Sequence, residues 1–397
     1  MGGKLLAYSH LGCYCVMSKN RFKIIIVGGG PVGLFLGICL AKAGLNCTIL
    51  EKRTTPVPDS RSLGIHPVSL ELFQQLGIAE EFLEAGIHIK KGIAHDGKRK
   101  LGEIDFSQLQ KPFNFILACP QFETEKILTK KFLALNPDGL IKGAEVTSIE
   151  QSEQSVTCCY SKNGSEYTIE SEYLIGCDGK DSFIRQEASI FYGGKRYPDT
   201  YIMGDFEDTT DFKENAAVFL PKQGMVECFP MPNSMRRWVI KTDEFVKNPS
   251  QQLLSNLIKQ RLGYDISNVK CTMLSGFRVQ QFTAEHFVKN RIVLAGDAAH
   301  VVSPIGGQGM NLGWLGAWEL SIAMEKVSEA PHKGKEALVT YQKNQKRLLK
   351  KVAKRAEWNM RLGRKQLIPF LKKGLLAAIL KTSLSKIAAK LFTMRGL

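Results

Sequence analysis

The chain has 397 residues, of which 44% are hydrophobic, so it can bury a core large enough for one large or two medium domains. Its formal net charge of +16 is unevenly distributed. Residues 331–397 contain 18 Lys and Arg against two acids, whereas residues 1–330 contain 36 residues of each sign. Nucleic-acid enzymes more often carry basic residues throughout their sites, so this distribution argues against that class and makes the charge a property of the tail.

Cysteine usage and hydropathy bear on the compartment. The ten cysteines are scattered without a CxxC pair or metal-ligand spacing, which predicts reduced thiols in a cytoplasmic protein that holds no metal. No run of 18 apolar residues is present, so no membrane-spanning helix is expected. Residues 1–20 lack the continuous apolar segment of a secretory signal, and we interpret them as an N-terminal extension.

A strand, a glycine-rich turn and a helix open the patterned part of the chain. The β-branched run FKIIIV at residues 22–27 predicts a buried parallel strand, and GGGPVG follows it directly. Residues 34–44 then have the pattern of a helix, and residues 47–50 that of a second strand. This order is typical of dinucleotide-binding units.

Each residue of the glycine motif has a physical task. Gly28 permits the tight turn, Gly30 lets a pyrophosphate approach backbone N–H groups, and Gly33 lets helix and strand pack closely. Glu51 ends the second strand, where its carboxylate can bind a pair of ribose hydroxyls. The sequence therefore predicts a dinucleotide site here.

Three later polar residues accompany this motif. Arg53 follows Glu51 by two positions, and we predict that it also contacts the bound dinucleotide. Arg61 lies in the next loop, where it can face a pyrophosphate or be an ordinary solvated arginine. Gln121 opens a predicted helix, and the physics of the sequence alone assigns it no role.

A second carboxylate follows a predicted hairpin. Alternating strand residues flank the Asn163-Gly164 turn, and the chain then runs into CDGKDSFIR, which contains Asp178, Gly179 and Arg185. Asp178 can serve a ligand at the end of its strand or cap the following helix, and the two roles are compatible.

A third strand end carries the longest motif, RIVLAGDAAHVVSPIGGQGMNLG at residues 291–313. The apolar run predicts a buried strand that ends at Asp297, placed to accept hydrogen bonds from a sugar or polyol. Gly306, Gly307 and Gly309 precede a helix, so their backbone N–H groups can approach a flat or anionic ligand. His300 lies beside them, and we expect a structural role more than that of a base.

Composition changes over residues 190–285, where strand-like stretches alternate with Pro-rich turns. We predict an α/β protein with a Rossmann-like nucleotide-binding domain, an inserted β-rich substrate domain and C-terminal helices. The predicted parts are the extension at 1–20, the nucleotide domain at 21–189 with 286–330, the substrate domain at 190–285, and basic helices at 331–397.

The three motifs together resemble the FAD-dependent aromatic-ring monooxygenases, the para-hydroxybenzoate hydroxylase-like single-component flavoprotein hydroxylases, over roughly residues 22–330. The resemblance implies that the first motif binds the ADP half of FAD. It also implies that the CDGKDSFIR segment, called the DG motif below, contacts FAD and NAD(P)H. It also implies that Asp297 binds the ribityl chain and that residues 304–311 line the flavin ring. The FAD-binding residues implied are Gly28, Gly30, Gly33, Glu51, Arg53, Arg61, Gln121, Asp178, Gly179, Arg185, Asp297, Pro304, Gly306, Gly307, Gly309, Met310 and Asn311.

The resemblance also implies a reaction. NAD(P)H reduces the flavin, O2 adds to it, and a flavin C4a-hydroperoxide hydroxylates an aromatic or polycyclic small molecule. No protein nucleophile is needed, so the residues nearest the chemistry are those at the ring edge, Pro304, Gly306 and Gly307. Tyr201, Arg236 and Arg237 have no spacing argument for a role as substrate-activating base. Two alternatives stay open, a same-fold flavin reductase acting on a prenyl or quinone lipid and a non-catalytic FAD-binding protein.

The basic tail has two interpretations. Apolar residues recur at helical spacing over residues 370–392 with lysines between them. These helices can pack on the nucleotide domain with a solvated lysine face. Alternatively, residues 369–397 can form a peripheral contact with an anionic membrane, which would suit a lipophilic substrate.

Overall fold

The computed structural model describes residues 22–55, 62–97, 99–364, 374, 378–380, 382 and 384–396. These residues form two eight-stranded sheets and one three-stranded sheet, with helices packed around them. The predicted extension at residues 1–20 lies outside the described residues.

Most of the strands lie before residue 300, and the longest helices follow them. The strands before residue 180 are β1 (Phe22–Val27), β2 (Cys47–Glu51), β3 (Gly64–Ile65), β4 (Ile87–Ile89), β5 (Lys91–His95), β6 (Lys100–Asp105), β7 (Ile116–Ala118), β8 (Leu140–Lys142), β9 (Glu145–Gln151), β10 (Val156–Lys162) and β11 (Ser165–Gly176). The later strands are β12 (Tyr192–Glu207), β13 (Ala216–Phe219), β14 (Val226–Met231), β15 (Met235–Thr242), β16 (Cys271–Ala284), β17 (Val288–Lys289), β18 (Ile292–Leu294) and β19 (His300–Val301). The helices are α1 (Pro31–Lys42), α2 (Pro67–Gln75), α3 (Ala79–Ala85), α4 (Gln121–Leu135), α5 (Phe183–Glu187), α6 (Gln251–Leu262), α7 (Gln308–Glu329), α8 (Pro331–Gly363) and α9 (Leu384–Phe392).

The first sheet is the predicted Rossmann-like unit. Its order is β17-β18-β11-β1-β2-β8, and the contacts among β18, β11, β1, β2 and β8 are all parallel. Helices α1, α4 and α7 pack with it, and α1 is buried on nearly every face because its sequence is apolar all round. The α/β fold predicted from the sequence is thus confirmed.

Strands β9, β10 and β11 form an antiparallel excursion from this sheet. Asn163 and Gly164 have φ angles of 52° and 79°, the left-handed values that a two-residue hairpin turn requires. The predicted hairpin is confirmed. Strand β11 then continues as a parallel partner of β1, so the DG motif is delivered to the carboxyl edge of the first sheet.

The second sheet has the order β19-β16-β12-β15-β14-β13-β5-β6. One face packs on α6 through Phe219, Trp238 and Leu254, and α6 begins after Ser250, whose side chain accepts a hydrogen bond from the Leu253 N–H. The opposite face, which carries Tyr201, Met203 and Val239 among others, looks toward the first sheet. We call it the cavity face.

The second sheet takes in more of the chain than residues 190–285. Strands β5 and β6 belong to it, because β5 pairs in parallel with β13 and antiparallel with β6. From the sequence, this segment was expected in the nucleotide domain. The pairing escaped prediction because it joins residues more than 100 positions apart and neither strand alternates clearly.

The C-terminal helices pack on both sheets. Helix α8 lies along α7, and the Tyr341 hydroxyl donates to the Leu294 carbonyl oxygen (2.9 Å). Arg364 at its end forms a two-pronged ion pair with the buried Asp199. Leu380 contacts Gly102, and α9 packs on β6, so the described end of the tail covers the second sheet and not only the nucleotide domain.

The outer face of α9 is apolar and exposed. Leu384, Ile387 and Leu391 are 49%, 55% and 44% exposed. Within the described part of the chain, no helix is both long and apolar enough to cross a membrane.

Candidate functional site

A cavity of about 1460 Å³ lies between the carboxyl edge of the first sheet and the cavity face of the second. It joins the motifs that the sequence singled out. The predicted residues on its wall are Gly28, Gly30, Glu51, Arg53, Gln121, Asp178, Gly179, Asp297, Pro304, Gly306, Gly307, Gly309 and Met310. Arg61 lies outside the described residues.

The first glycine motif has one open position between two crowded ones. A Cβ atom on Gly28, where φ is 108°, would lie 2.4 Å from the Cys177 carbonyl oxygen, and one on Gly33 would lie 2.0 Å from the Gly28 carbonyl oxygen. Gly30 has nothing within 4 Å of that position. The N-terminus of α1 has no capping side chain and no acid in its first turn. The turn therefore has room and free N–H groups for an anionic phosphate.

Glu51 is held in place by the backbone. Its Oε2 atom accepts from the Gly29 N–H (2.6 Å), and its Oε1 atom accepts from the N–H (2.8 Å) and Nε (2.7 Å) of Arg53. Burial opposes ionisation, but these hydrogen bonds outweigh it and hold the pKa of Glu51 below its usual value. The result is an oriented carboxylate on the cavity wall.

Glu125 also belongs to this cluster, although it was not predicted from the sequence. Its Oε1 atom accepts a hydrogen bond from Gln121 Nε2 (2.9 Å), and its Oε2 atom lies 3.5 Å from Arg53 Nη1. Its spacing of four residues from Gln121 on α4 was the available signal. Arg53 and Gln121 thus reach the same part of the wall from different elements.

The DG motif is organised by hydrogen bonds within the protein. Asp178 accepts from Ser182 Oγ (2.6 Å) and from the Ile184 N–H (3.0 Å), so its carboxylate serves the start of α5, the alternative raised from the sequence. Gly179 has a φ angle of 84° and open space on its Cβ side. The part of this motif free to meet a ligand is therefore chiefly its backbone.

Arg185, which the resemblance places at the cofactor, does not line the cavity. It is 4% exposed and donates to the carbonyl oxygens of Ala298 (3.0 Å) and Lys180 (2.9 Å). Its guanidinium also lies 3.7 Å from the centre of the Tyr192 ring. Through these two hydrogen bonds, the guanidinium of Arg185 joins the DG loop to the turn that carries Asp297.

Asp297 is open to the cavity although protein surrounds it. No described residue donates a hydrogen bond or forms an ion pair with its side chain. The surrounding protein desolvates the carboxylate and raises its pKa to about 6, which Lys180 opposes only partly. Such a carboxylate fits a ligand that supplies hydroxyl donors.

The loop before α7 depends on two glycines. Gly306 and Gly307 have φ angles of 91° and 65°, which residues with a side chain rarely adopt. Helix α7 begins at Gln308 without a capping side chain or an acid in its first turn. Its first N–H groups are consequently available to a ligand with partial negative charge.

Asn311 also differs from its predicted place at the ring edge. It is fully buried, and its Oδ1 atom accepts from the His66 N–H and Ser69 Oγ, both at 2.8 Å. Its Nδ2 atom donates to the Gly64 (2.9 Å) and Gly307 (2.8 Å) carbonyl oxygens. Asn311 fastens the glycine loop to the segment before α2.

Two buried histidines flank this loop. His66 lines the cavity, its Nε2 atom donates to the Gly306 carbonyl oxygen (3.0 Å), and burial lowers its pKa to about 4. No sequence signal distinguished it. His300 is 4% exposed, lies away from the cavity wall and has its pKa lowered to about 4 by burial, a placement that suits the structural role favoured from the sequence.

Comparison with known proteins agrees with this geometry. Residues 21–356 match the family described as "FAD binding domain". The chain is 31% identical over 316 residues to an uncharacterized aromatic compound monooxygenase of Bacillus subtilis, covering 77% of this chain and 62% of that protein. It is 31% identical over 319 residues to a rifampicin monooxygenase of Streptomyces venezuelae, covering 78% of this chain and 66% of that protein. The chain thus spans less than two thirds of the length of these curated relatives.

A solved structure extends the likeness in fold. The p-nitrophenol 4-monooxygenase of Pseudomonas putida superposes with a TM-score of 0.86 at 19% identity, covering 95% of this chain and 98% of that one. The resemblance that the motifs carry is therefore confirmed, and the chain belongs to the FAD binding domain family, in which its relatives are named aromatic-compound monooxygenases.

Proposed function

We propose that this protein is an FAD-dependent monooxygenase that consumes NAD(P)H and O2 to hydroxylate an aromatic or polycyclic small molecule. The observation that carries the proposal is the cavity of about 1460 Å³, which joins the FAD motifs of the first sheet to the largely apolar face of the second. A cofactor and an apolar substrate can share it. The names of the relatives favour this function over the lipid reductase and the non-catalytic protein.

The FAD-binding residues divide by task in this proposal. Gly28, Gly30 and Gly33 shape the turn for the pyrophosphate, with Glu51 on the adjacent ribose and Arg53 and Gln121 beside it. Asp297 binds the ribityl hydroxyls. Residues 304–310 lie along the flavin ring, while Arg185 and Asn311 hold the two loops in position. The open Cβ side of Gly30 and the unpaired Asp297 support these assignments.

Bound FAD would supply the redox chemistry, taking electrons from NAD(P)H and activating O2. The chain contributes positioning, charge and exclusion of water. The N-terminus of α7, with no acid in its first turn, favours negative charge on the adjacent ring. Met203, Val218 and Val239 on the cavity face line the cavity and form an apolar cover that keeps water from the reacting atoms.

The outer part of the cavity favours an anionic co-substrate. Lys180, Arg196, Lys247 and Arg278 line it and are all exposed. Since only one GxGxxG is present in the sequence, NAD(P)H would dock here transiently through its phosphates.

We further propose a cytoplasmic protein that touches anionic membranes through residues 369–397. The described cysteines are all free, as expected in a reducing compartment. The exposed Leu384, Ile387 and Leu391 lie on a helix with Lys386 and Lys390, which suits an anionic lipid surface.

The proposed activity predicts that an aromatic substrate stimulates oxidation of NADH or NADPH by the purified yellow protein. O2 uptake should match the yield of a product heavier by one oxygen atom, and hydrogen peroxide release should be small. The measurement is a panel of phenols and polycyclic aromatics followed by absorbance, an oxygen electrode and mass spectrometry. Hydrogenation of a lipid without O2 consumption would support the reductase instead, and a protein without flavin would support the non-catalytic alternative.

Two alanine substitutions in the glycine motif should separate binding from folding. Gly30→Ala places a methyl group in open cavity space at a φ angle of −75°, so the apoprotein should keep its stability and lose FAD affinity by about tenfold or more. Gly33→Ala forces a clash with the Gly28 carbonyl oxygen and should cost about 1–3 kcal/mol of unfolding free energy. Thermal unfolding of the apoproteins and FAD titration measure both. Unchanged FAD affinity in Gly30→Ala contradicts the pyrophosphate assignment.

Asp297→Asn should weaken FAD binding by about tenfold, because a charge-assisted hydrogen bond is lost. In the wild type, affinity should fall as pH drops through about 6, since the raised pKa of Asp297 means that protonation there removes the carboxylate. The variant should show no such step. Fluorescence titration of apoprotein with FAD from acid to neutral pH tests this, with the exposed Asp265→Asn as control. A variant that retains the step refutes the ribityl assignment.

The membrane contact predicts salt-sensitive binding to anionic vesicles. Deletion of residues 369–397 should abolish it, but that deletion also removes Leu380 and Phe392 from the cavity wall. The triple variant Leu384→Ser, Ile387→Ser, Leu391→Ser is therefore the cleaner test, with Val339→Ser, which is 55% exposed, as control. Sedimentation with phosphatidylserine vesicles measures binding. Absence of binding by the intact protein, or equal binding by the triple variant, rules the contact out.

A further inference from the structure

Three buried carboxylates lie on the cavity face of the second sheet, and they differ in their partners. Asp205 is paired with Arg237 through two contacts of 2.7 Å. Asp199 is paired with Arg364 and lies 3.7 Å from the Lys241 ammonium. Glu227 forms no hydrogen bond and no ion pair with any residue that the structure describes. Arg237, Lys241 and Arg364 are thus engaged with the other two acids.

Strand geometry points Glu227 into the cavity. It lies between Met225 and Phe229, its two same-face neighbours around β14, and opposite Val218 and Val239 on the adjoining strands. All of these residues line the cavity. Glu227 is 9% exposed, and burial alone raises its pKa to about 7.

A second unpaired polar group belongs to the same region. The Tyr201 hydroxyl is buried without a hydrogen-bond partner in the described structure. Tyr201 lies opposite Lys241 of β15, two positions from Val239, which lies opposite Glu227. Burial is the main cause of the raised pKa of Tyr201, and the charges of Glu227 and Asp199 add to it.

An unpaired carboxylate in an apolar wall is unfavourable for folding. The apolar neighbours of Glu227 offer it no donor, and the cations of the face serve Asp199 and Asp205. Other described cations of the wall do not pair with it either, namely Lys180, Arg196, Lys247 and Arg278. Once the described residues are accounted for, a ligand in the cavity is the partner that remains. A carboxylate oxygen accepts hydrogen bonds, attracts positive charge and repels negative charge.

We propose that Glu227 is the specificity-determining contact for the substrate, accepting a hydrogen bond from an O–H or N–H group of a neutral or cationic aromatic molecule and disfavouring an anionic one. That the bound molecule is a substrate rests on the proposed function, whereas the contact with Glu227 depends only on the cavity. The apolar residues around Glu227 hold the ring, and the carboxylate selects its polar substituent.

The first test concerns the unpaired carboxylate itself. Its pKa lies above the ordinary value of 4.5, so its ionisation destabilises the fold progressively from pH 4.5 to about 7 and fully above that. Glu227→Gln should therefore raise the unfolding temperature of the FAD-loaded protein by about 2–4 °C near pH 8 and leave it unchanged near pH 5. The exposed Glu207→Gln on the same sheet is the matched control. Lower stability of Glu227→Gln near pH 8 would mean that a protein group already pairs with Glu227, and would overturn the proposal.

The second test uses three probes with the same phenol ring, namely tyramine, 4-hydroxybenzyl alcohol and 4-hydroxyphenylacetate. Calorimetry on the FAD-loaded protein without NAD(P)H near pH 8 should give the tightest binding for cationic tyramine and the weakest for anionic 4-hydroxyphenylacetate. In Glu227→Gln the ratio of tyramine to 4-hydroxyphenylacetate affinity should fall by about tenfold or more, and in Glu207→Gln it should not change.

The same measurements decide against the proposal if tyramine does not bind, if 4-hydroxyphenylacetate binds best, or if Glu227→Gln leaves the ratio intact. Tyramine affinity should also decline from pH 8 to 5 in the wild type as Glu227 gains a proton, and stay level in Glu227→Gln. Because no NAD(P)H is present, a protein that selects tyramine through Glu227 yet hydroxylates nothing would refute the proposed function and leave the Glu227 contact standing.

Discussion

The register of four parallel strands is the constraint on which the site depends. Val27 at the end of β1 lies opposite Leu50 of β2 and Gly176 of β11, and Gly176 lies opposite Leu294 of β18. The four strands therefore end together, and three motifs far apart in the sequence meet at one edge. A slip of one residue in any pairing would exchange the two buried faces of a strand and displace a motif from the cavity.

Local rules made much of this half of the protein predictable. The apolar run of β1, the glycine turn and the strand ending in Glu51 are each specified by neighbouring residues, and Asn163-Gly164 admits few structures other than a hairpin turn. The positions that a Cβ atom would crowd, Gly28 and Gly33, are those that the motif assigned to tight packing. These local rules identified the ligand only as a dinucleotide. The resemblance to the flavoprotein hydroxylases identified it as FAD.

Orientation and distant pairing were beyond prediction for physical reasons. A motif letter gives a position but not a direction, so Arg185 and Asn311 were placed on the ligand, whereas both turn inward to carbonyl oxygens and N–H groups of the protein. The pairing of β5 with β13 depends on a neighbour distant in sequence. Glu227 looks like an ordinary strand residue until the sheet shows which face it occupies.

Polar groups with protein partners and polar groups without them therefore have different roles around the cavity. Asp178, Arg185 and Asn311 have protein partners and fix the shape of the loops. Asp297 and Glu227 have none among the described residues, and desolvation by the surrounding protein raises the pKa of both, to about 6 and about 7. One belongs to the edge of the first sheet and the other to the face of the second. Most of the wall between them is apolar, so each unpaired acid lowers the stability of the fold. In the proposed function, Asp297 recognises the cofactor and Glu227 recognises the molecule bound beside it.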